Sequence, residues 1–541
     1  MPLRPLLLAC AALLAACSHN PATGSPMLSL STQTEQRNIG DATAQSHLKA
    51  EGLYRPGSAT AAYVTGLCNQ VYAVTEAAAE AVQCNLSDDG SFNAFATPGY
   101  LFVHRGLLPF MSSEDELAAV LGHEAGHLTA RHVARSLTQQ RATQLILMGS
   151  AVALGAGGAD PLTMQTAGNM GSTAGQLGMA RFSRSHETEA DAIARRYLQK
   201  AGYNPAAGVS MARNMLHYGN YAALQAAAFG AEDDSLLDRL KSSHPASPER
   251  VAAALAETGE PQSLPPLQDL SRQRYLNAIN GLPWGPQRRY GIARQTELIL
   301  TRQRIILPLP EGTTTHYLSS GHPRNLGTWL IAHPHSGVSI RLTSLPMQSG
   351  SNPASVIEKS LPTLRSKTER ITLGGTPQPS GATLDDLALA EPDTTPEDTD
   401  ATLAEDDLAP PTEVIGYTAT HRFLNSPKRW RTVAFGAPTR ANEMLVYTIT
   451  YPSEEAMQRE DANLMAVLKN VRFLTRGQAL AYKPLQIHIF HAAAGDSVTR
   501  QASKLPVGAY QEELFRALNN LPTGTEMQTG QLYKTIIDLN P

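Results

Sequence analysis

The chain has 541 residues, of which 42% are hydrophobic and 17% are charged. At about 150 residues per domain this length suits three to four domains, and the composition is that of a folded protein, not a collagen-like or fully disordered one. Lys and Arg number 44 and Asp and Glu 48, so the net charge is -4. This balance excludes the strongly basic surface typical of nucleic-acid-binding proteins, and we expect no nucleic-acid partner.

Residues 1–16 have the features of a secretion signal. Arg4 is followed by an apolar run at residues 6–14, which is too short to span a bilayer. The tetrapeptide Leu-Ala-Ala-Cys that ends at Cys17 resembles a bacterial lipobox, in which the cysteine carries a lipid. We therefore predict that residues 17–31 tether the chain to a membrane through Cys17; cleavage of an ordinary signal peptide nearby is the alternative. By resemblance to the lipoproteins of diderm bacteria, the serine after Cys17 favours the outer membrane, with the body of the protein in the periplasm.

An oxidising compartment allows disulfide bonds. With Cys10 in the signal segment and Cys17 lipidated, Cys68 and Cys84 are the remaining cysteines. A disulfide between them and a pair of buried free thiols are both compatible with the sequence.

The composition changes near residue 262. Residues 32–262 are Ala-rich with mainly helical patterns, and the prolines of residues 263–290 indicate a linker. Beyond it, alternating apolar residues predict strands at 338–342 and 444–450. We expect residues 291–476 to form one antiparallel α+β domain.

An acidic insert at residues 375–413 interrupts this second domain. From Ile371 to Glu413, both included, the chain has eleven acidic residues and no Lys or Arg. Such a segment cannot bury enough apolar surface to offset its ordering entropy, so we predict that it is disordered. A helix is expected after it, at residues 453–471. The apolar residues on one face of that helix are Leu464, Leu468 and Val471.

The sharpest chemical signal is the motif H-E-A-G-H at residues 123–127. Upstream, Ser113 and a glutamate three residues later have the spacing of a capping box, which predicts a helix through the motif. At about 100° per residue His123 and His127 share a face of this helix with Glu124. Two imidazoles one turn apart can bind zinc, and the carboxylate between them can act on a water molecule at the metal.

Zinc needs a third protein ligand. His132 is expected about 180° from His123 on the same helix, and so at the surface. A second helix begins near Glu187, which shares a face with Asp191. Glu189 lies about 200° from Glu187, and we expect it in solvent.

Four segments in this order resemble the gluzincin endopeptidases of metallopeptidase family M48, which include HtpX-type, Oma-type and CAAX-prenyl-protease-type enzymes. They are F-N-A-F-A-T-P-G at 92–99, H-E-x-x-H at 123–127, S-R-x-x-E-x-x-A-D at 183–191, and H-P with a following arginine at 244–250. The resemblance covers about residues 32–260. It extends to the periplasmic, BepA-type members of the family.

The resemblance implies Glu187 as the third ligand of one Zn²⁺ and Asp191 as the partner of a zinc-binding histidine. Glu124 would be the general base of peptide hydrolysis. His244 has three alternative roles. It would donate a hydrogen bond to the oxyanion formed during peptide hydrolysis, would occupy the fourth zinc position, or would simply pack beside the next proline. Arg250 would orient that loop or form a surface ion pair.

The segment Asn93, Ala94 and Phe95 resembles the family's edge strand, to which an extended substrate can add through main-chain hydrogen bonds. Such binding has weak sequence specificity and suits unfolded segments. The side chains of Phe92 and Phe95 could belong to the core or to a substrate pocket.

Residues 477–541 are similar to a LysM-type module, which folds as strand, helix, helix, strand and often binds peptidoglycan. The matching segments are 494–498, 518–521 and 530–534. The stretch between the first two is long and contains proline and glycine, so glycan binding stays open.

The expected fold class is therefore multidomain: a mainly α-helical gluzincin domain with a small edge β-hairpin, then the antiparallel α+β domain and the LysM-like module. The leading hypothesis is a periplasmic zinc endopeptidase anchored to the outer membrane that acts on unfolded or misassembled envelope proteins. A non-proteolytic assembly factor that uses the zinc domain as a scaffold, and a peptidoglycan peptidase, are the alternatives.

Overall fold

A computed structural model gives the fold. It describes residues 17–153, 182–230, 244, 248–258, 269–319, 326–346, 353–360, 366–374, 410–423, 426–437 and 443–540. The predicted signal peptide, the side chain of Cys17 and most of the acidic insert lie outside the described residues. Within the described ranges, no helix is both long enough and apolar enough to cross a membrane.

The chain divides into two compact units. One comprises Met1–Gly219 with Lys241–Ile279, and the other comprises Asn220–Leu240 with Asn280–Pro541. The first is mainly helical and the second is rich in β-sheet. This agrees with the predicted multidomain class, and the finer domain boundaries stay predictions.

The first unit has helices along most of its described length. They are α1 (Gln33–Ala50), α2 (Ala59–Tyr72), α3 (Glu114–Thr129), α4 (His132–Ala153), α5 (Arg184–Ala201), α6 (Ala207–Ala228, whose C-terminal part belongs to the second unit), α7 (Pro248–Thr258) and α8 (Asp269–Ile279). A 3-10 helix occupies Arg105–Phe110.

Five short strands accompany these helices. They are β1 (Cys17–His19), β2 (Pro26–Leu28), β3 (Gln83–Ser87), β4 (Ala94–Thr97) and β5 (Tyr100–His104). Strands β1 and β2 pair with each other, and the other three form a sheet in the order β3-β5-β4. The predicted edge hairpin is therefore β4 and β5, with β4 at the edge and a third strand parallel to β5 on the far side.

The N-terminus of α3 is capped differently from the prediction. Ser113 Oγ accepts from Glu116 N at 3.2 Å, as in a capping box. Glu116 does not return the bond to Ser113. Its Oε2 accepts from Ser112 N and from the amide of Asn214, each at 2.6 Å. The glutamate therefore ties the start of α3 to α6.

Helices α3 and α5 approach closely because two glycines of α3 face α5. A Cβ atom at Gly126 would lie 3.2 Å from the carbonyl oxygen of Ala190, and one at Gly122 would lie 3.4 Å from Ala194 Cα. The two backbones can come this near only where α3 has no side chain. This packing places α5 beside the zinc-binding motif predicted on α3.

A disulfide joins α2 to the sheet. Cys68 and Cys84, the pair for which the sequence allows a bond, are linked with their Cα atoms 6.0 Å apart. Cys68 lies near the end of α2 and Cys84 in β3. The bond closes the short connection between these two elements.

The second unit is built on a seven-stranded antiparallel sheet. Its strands are β9 (Thr314–Leu318), β10 (Thr328–His333), β11 (Val338–Pro346), β12 (Glu369–Gly374), β13 (Glu413–His421), β14 (Arg429–Gly436) and β15 (Glu443–Tyr451). Across the sheet their order is β12-β13-β14-β15-β11-β10-β9. The strands predicted from alternation are β11 and β15, and they pair directly, with Ile340 opposite Ile449.

A smaller sheet and a helix cover this large sheet. The sheet has the order β16-β8-β7-β6, from β6 (Ile292–Ala293), β7 (Glu297–Leu300), β8 (Ile305–Pro308) and β16 (Arg472–Phe473). Two helices of the unit are α9 (Pro353–Ser360) and α10 (Glu454–Lys469). Leu464 and Leu468 of α10 share one buried core with both sheets, as the helical periodicity predicts.

The C-terminal residues form strand, helix, helix and strand. After the short helix α11 (Arg476–Ala481), these are β17 (Gln486–His491), α12 (Val498–Ala502), α13 (Gln511–Asn519) and β18 (Leu532–Ile537), and the two strands pair antiparallel. Asn519 holds α13 to β18 by exchanging hydrogen bonds with the backbone of Lys534 at 2.7 and 2.9 Å. The LysM-like assignment itself stays a prediction.

We predict that Gly126→Val destabilises the first unit, because the new side chain must push α5 away from α3. Overpacking of this kind costs about 1–3 kcal/mol. Gly66→Val is the matched control, since Gly66 is also helical and no described atom outside its own stretch of helix lies within 4 Å of the point that a Cβ atom would occupy. Thermal unfolding should show a lower melting temperature for Gly126→Val than for Gly66→Val. Equal values would contradict the close-packing account.

Candidate metal centre

Helix α3 places the ionisable side chains of the H-E-x-x-H motif in the protein interior. His123, Glu124 and His127 are only 3%, 2% and 2% exposed. The two histidines are one helical turn apart, and their Nε2 atoms lie 3.0 Å from each other. Both rings therefore direct a nitrogen atom into the same small, dry space.

Helix α5 adds a carboxylate to this pair. Glu187 Oε2 lies 3.4 Å from His123 Nε2, and Glu187 Oε1 lies 3.5 Å from His127 Nε2. Glu187 is itself 5% exposed and sits in the first turn of α5. The close packing of α3 and α5 thus brings together the three residues that the sequence proposes as zinc ligands.

A fourth side chain comes from a segment further along the chain. His244 Nδ1 lies 2.9 Å from Glu187 Oε1 and 3.4 Å from His123 Nε2. Its Nε2 lies 3.3 Å from Glu124 Oε1. The potential ligand atoms of His123, His127, Glu187 and His244 all lie within 4.8 Å of one another. His244 therefore contacts both the ligand cluster and the predicted base.

Asp191 holds the outer nitrogen of His123. His123 Nδ1 donates to Asp191 Oδ1 over 2.8 Å, and Arg250 donates to both oxygens of Asp191 at 2.8 and 2.9 Å. Burial raises the pKa of Asp191, but its hydrogen bonds to His123 and Arg250 outweigh burial and lower the pKa to about 2. Asp191 is therefore an ionised acceptor, and it fixes the His123 tautomer that leaves the Nε2 lone pair facing the cluster.

His127 has an outer partner whose position differs from the prediction. His132 does not continue helix α3: that helix ends first, and Arg131 takes a left-handed conformation with φ of +56° before α4 begins. His132 is fully buried, and its Nδ1 lies 2.7 Å from His127 Nδ1. The expectation of a surface residue is wrong because the turn at Arg131 redirects the chain.

Glu189 is also misplaced by the helical-wheel argument, which puts it in solvent. Its Oε2 instead accepts from His132 Nε2 at 3.2 Å and from Arg135 at 2.5 Å. Asn20 donates to its other oxygen at 2.9 Å. The face of α5 opposite Glu187 is thus covered by α4 and by the N-terminal segment.

The groups around this cluster favour positive charge on it. Burial lowers the pKa of His123, but hydrogen bonds to Asp191 and Glu187 outweigh it and raise the pKa to about 10. Burial, together with the neighbouring His123 and His244, holds the pKa of His127 well below its usual value. The cluster therefore holds a proton on one ring where a metal cation could bind instead.

The geometry fits a single divalent metal ion. Because each ring has its outer Nδ1 in a hydrogen bond, the two Nε2 atoms can face each other as lone pairs, which repel unless a cation lies between them. Four ligand atoms about 2.0–2.1 Å from a tetrahedral zinc lie about 3.3 Å apart. Five of the six residue pairs in the cluster have contacts of 2.9 to 3.5 Å, and all the potential ligand atoms lie within 4.8 Å of one another. Neutral imidazoles and a carboxylate are also donors that zinc favours.

A pocket open to solvent adjoins this cluster. Glu124, His244 and Arg250 are among its lining residues. Its apolar lining residues are Phe92, Ala94, Leu107, Met111, Val120, Met211 and Met215. The two methionines of α6, Met211 and Met215, are not among the predicted site residues. Because they are four residues apart, the sequence could have indicated that they share one face of a helix.

Two of the three predicted substrate-binding residues line this pocket. They are Asn93 and Ala94. The side chain of Phe95 does not, because alternation along β4 turns it to the opposite face. Its ring stacks on Phe102 in the core with centroids 4.9 Å apart. A side-chain contact between Phe95 and substrate is therefore excluded in this structure, and only a main-chain role stays a prediction.

His47, Asp89 and His104 form a second cluster of potential metal-binding side chains. The rings of His47 and His104 stack at 15° with centroids 4.9 Å apart. Metal ions bind imidazole nitrogens in the ring plane, and two nearly parallel stacked planes do not meet at one ion. The stacking is therefore that of a packed core pair.

Comparison with known proteins agrees with this geometry. Residues 58–258 match Peptidase family M48. The beta-barrel assembly-enhancing protease of Yersinia pestis is 35% identical over 153 residues, which are 27% of this chain and 30% of that protein. The mitochondrial metalloendopeptidase OMA1 of Schizosaccharomyces pombe is 32% identical over 158 residues, 29% of this chain and 44% of that protein. The metalloprotease LoiP of Escherichia coli is 34% identical over 115 residues, 21% of this chain and 43% of that protein.

These matches confirm the resemblance to family M48 that the motifs indicate. The chain spans less than half the length of each of these relatives. The range that matches the family includes His123, His127, Glu187 and His244.

We predict that Glu187→Gln lowers the affinity of the chain for Zn²⁺ by at least tenfold, because it removes the one negative charge among the four potential ligands. Glu114→Gln is the matched control: Glu114 is buried in the same unit but pairs with Tyr63 and Arg274. Competition with a chromophoric chelator measures both affinities. A Glu187→Gln chain that binds zinc as tightly as the control would contradict the assignment.

Proposed function

We propose that this chain, which belongs to peptidase family M48 through residues 58–258, is a zinc-dependent metalloendopeptidase of the bacterial envelope. Its proposed substrates are misfolded or misassembled envelope proteins. The observation that carries the proposal is the convergence of His123, His127 and Glu187 from two helices beside the carboxylate of Glu124. The name of the Y. pestis relative, a beta-barrel assembly-enhancing protease, supports the substrate class.

His123, His127 and Glu187 would hold one zinc ion per chain. When bound, zinc supplies an acidified water molecule and a Lewis acid for the peptide carbonyl. Asp191 fixes the orientation of His123, and Arg250 in turn holds Asp191 and contacts Glu187 at 3.2 Å. The charges of Asp191 and Arg250 offset each other, so both can stay ionised beside the cluster.

Glu124 is placed to move the proton that peptide hydrolysis requires. Its Oε2 is buried without a hydrogen-bond partner among the described residues, and the side chain faces the pocket. An unpartnered carboxylate oxygen in a dry site is a strong acceptor for the proton of an attacking water. Glu124 would then return this proton to the leaving amide nitrogen.

His244 has two proposed roles that its contacts support to different degrees. The 2.9 Å contact of Nδ1 with Glu187 supports a place among the metal ligands in a resting enzyme. The 3.3 Å contact of Nε2 with Glu124 supports a position near the reacting carbonyl, where the ring would donate to the oxyanion. Because Nδ1 lies closest to the ligand atoms, we favour the resting role.

The pocket supports cleavage within extended, unfolded segments. Strand β4 lies at the edge of its sheet, so a substrate strand can add beside Asn93 and Ala94 through main-chain hydrogen bonds. The adjoining pocket is lined by Met211, Met215 and other apolar side chains, which favour an apolar substrate residue next to the cleaved bond. Folded proteins bury such residues, whereas misfolded ones expose them.

The location of the enzyme is proposed from the sequence. A lipid on Cys17 would anchor the chain to the outer membrane, with residues 17–31 as a tether in the periplasm, and residues 477–541 could bind peptidoglycan. The buried base beside the ligand cluster favours catalysis over a scaffold role in assembly. No contact of the described residues favours a peptidoglycan peptide as substrate.

We predict that Glu124→Gln abolishes cleavage of unfolded casein by the zinc-loaded chain, with turnover reduced by about 10²–10⁴-fold, because glutamine cannot accept the proton. Zinc content of the variant should equal that of the wild type, since Glu124 is not among the ligands. Equal casein turnover by the two chains would refute the mechanism. An envelope-assembly activity that survives in the variant would favour the scaffold alternative.

A further inference from the structure

We propose that His132, held by Glu189, is a positioning residue that orients His127 as a metal ligand. The inference rests on the proposed metal site and adds a residue to it from outside the H-E-x-x-H and Glu187 segments. It is based on two successive contacts that link three side chains. His127 Nδ1 lies 2.7 Å from His132 Nδ1, and His132 Nε2 lies 3.2 Å from Glu189 Oε2.

The direction of these two hydrogen bonds follows from the carboxylate at the end. Glu189 also accepts hydrogen bonds from Arg135 at 2.5 Å and from Asn20 at 2.9 Å, so it is an ionised acceptor. His132 must therefore donate from Nε2, and its Nδ1 presents a lone pair. The single proton between the two Nδ1 atoms is then on His127.

This proton placement sets what His127 offers to the cluster. With Nδ1 protonated, the Nε2 of the neutral ring carries a lone pair and points at Glu187, 3.5 Å away. The opposite tautomer would put a hydrogen atom on Nε2, between the two zinc-binding histidines. The His132–Glu189 pair thus excludes the tautomer of His127 that cannot bind metal.

The two motif histidines are held by different means. His123 donates directly to Asp191, whereas His127 donates through a second ring to Glu189. Both carboxylates come from helix α5 and each is paired with an arginine, Arg250 or Arg135. Helix α5 therefore supplies the metal-facing glutamate, the acceptor of His123 and the acceptor of His132, which in turn accepts from His127.

Burial shows that the arrangement is constrained. His132 is 0% exposed, and its ring stacks on His186 with centroids 4.3 Å apart at 16°. This stacking fixes the plane of the His132 ring while its two nitrogens make the in-line contacts. A phenylalanine can keep the stacking but has no nitrogen to accept from His127.

The test uses His132→Phe in the full chain, with Zn²⁺ affinity measured by chelator competition and the absorption spectrum of the Co²⁺-loaded chain as a second readout. Loss of an outer partner of a metal-binding histidine weakens binding by about 10–100-fold. We expect a loss in this range and a changed cobalt spectrum. His132→Asn should recover most of the affinity, because its amide oxygen can accept from His127.

His186→Phe is the matched control. Its ring takes part in the same stack, and its Nδ1 has no hydrogen-bond partner among the described residues. We expect wild-type zinc affinity and a wild-type cobalt spectrum. An equal loss of affinity in His132→Phe and His186→Phe would show that packing alone is responsible and would overturn the inference.

Glu189→Leu tests the same hydrogen bonds if His132→Phe does not fold, because Glu189 is partly exposed. Leucine cannot accept from His132 Nε2, so the tautomer of His132 is no longer fixed and the zinc affinity should again fall. Unchanged zinc binding in Glu189→Leu or His132→Phe would overturn this inference alone. A wild-type chain that binds no zinc would overturn the proposed function and this inference together.

Discussion

Two imidazole nitrogens facing each other across 3.0 Å in a dry interior are the constraint on which the site depends. A neutral ring with its hydrogen on Nε2 could donate a hydrogen bond to the other ring, and the pair would need no cation. Asp191 and His132 exclude that tautomer by accepting from the outer N–H of each ring. The two inner lone pairs then need a cation between them, either a proton or a metal ion, and Glu187 faces them as the compensating charge.

The fold serves this constraint by bringing distant segments of the chain together. Helix α3 can lie against α5 because Gly122 and Gly126 leave no side chain between the two backbones. That approach lets one helix present Glu187 to the cluster, Asp191 to one ring and Glu189 to the partner of the other. Each of these carboxylates would be costly to bury alone, and each has a cationic or imidazole partner within hydrogen-bonding distance.

Much of the site could be predicted because it depends on helical periodicity. The spacing of His123 and His127 fixes their common face, and the same rule places Glu187 and Asp191 together. The rule failed at His132 because the helix ends first, at a left-handed Arg131 that nothing in the local sequence marks. It failed at Glu189 because a helical wheel gives only the direction in which a side chain leaves the helix. It does not show which other elements cover the face of α5 opposite Glu187.

The second unit shows the same limit for strands. Alternation predicts β11 and β15, whose two faces have different surroundings. Strand β8 is a continuous apolar run, Ile305–Pro308, with no period of two, so its place in a second sheet could not be inferred. In the first unit, alternation along β4 could have indicated that Phe95 and Ala94 face opposite sides, and the structure shows that they do.

X-ray absorption at the zinc edge of the purified full-length chain tests the central claim most directly. The account predicts a first shell of nitrogen and oxygen atoms only, at about 2.0–2.1 Å, with the outer scattering of at least two imidazole rings. A shell that contains sulfur at about 2.3 Å, or one without imidazole scattering, would contradict it.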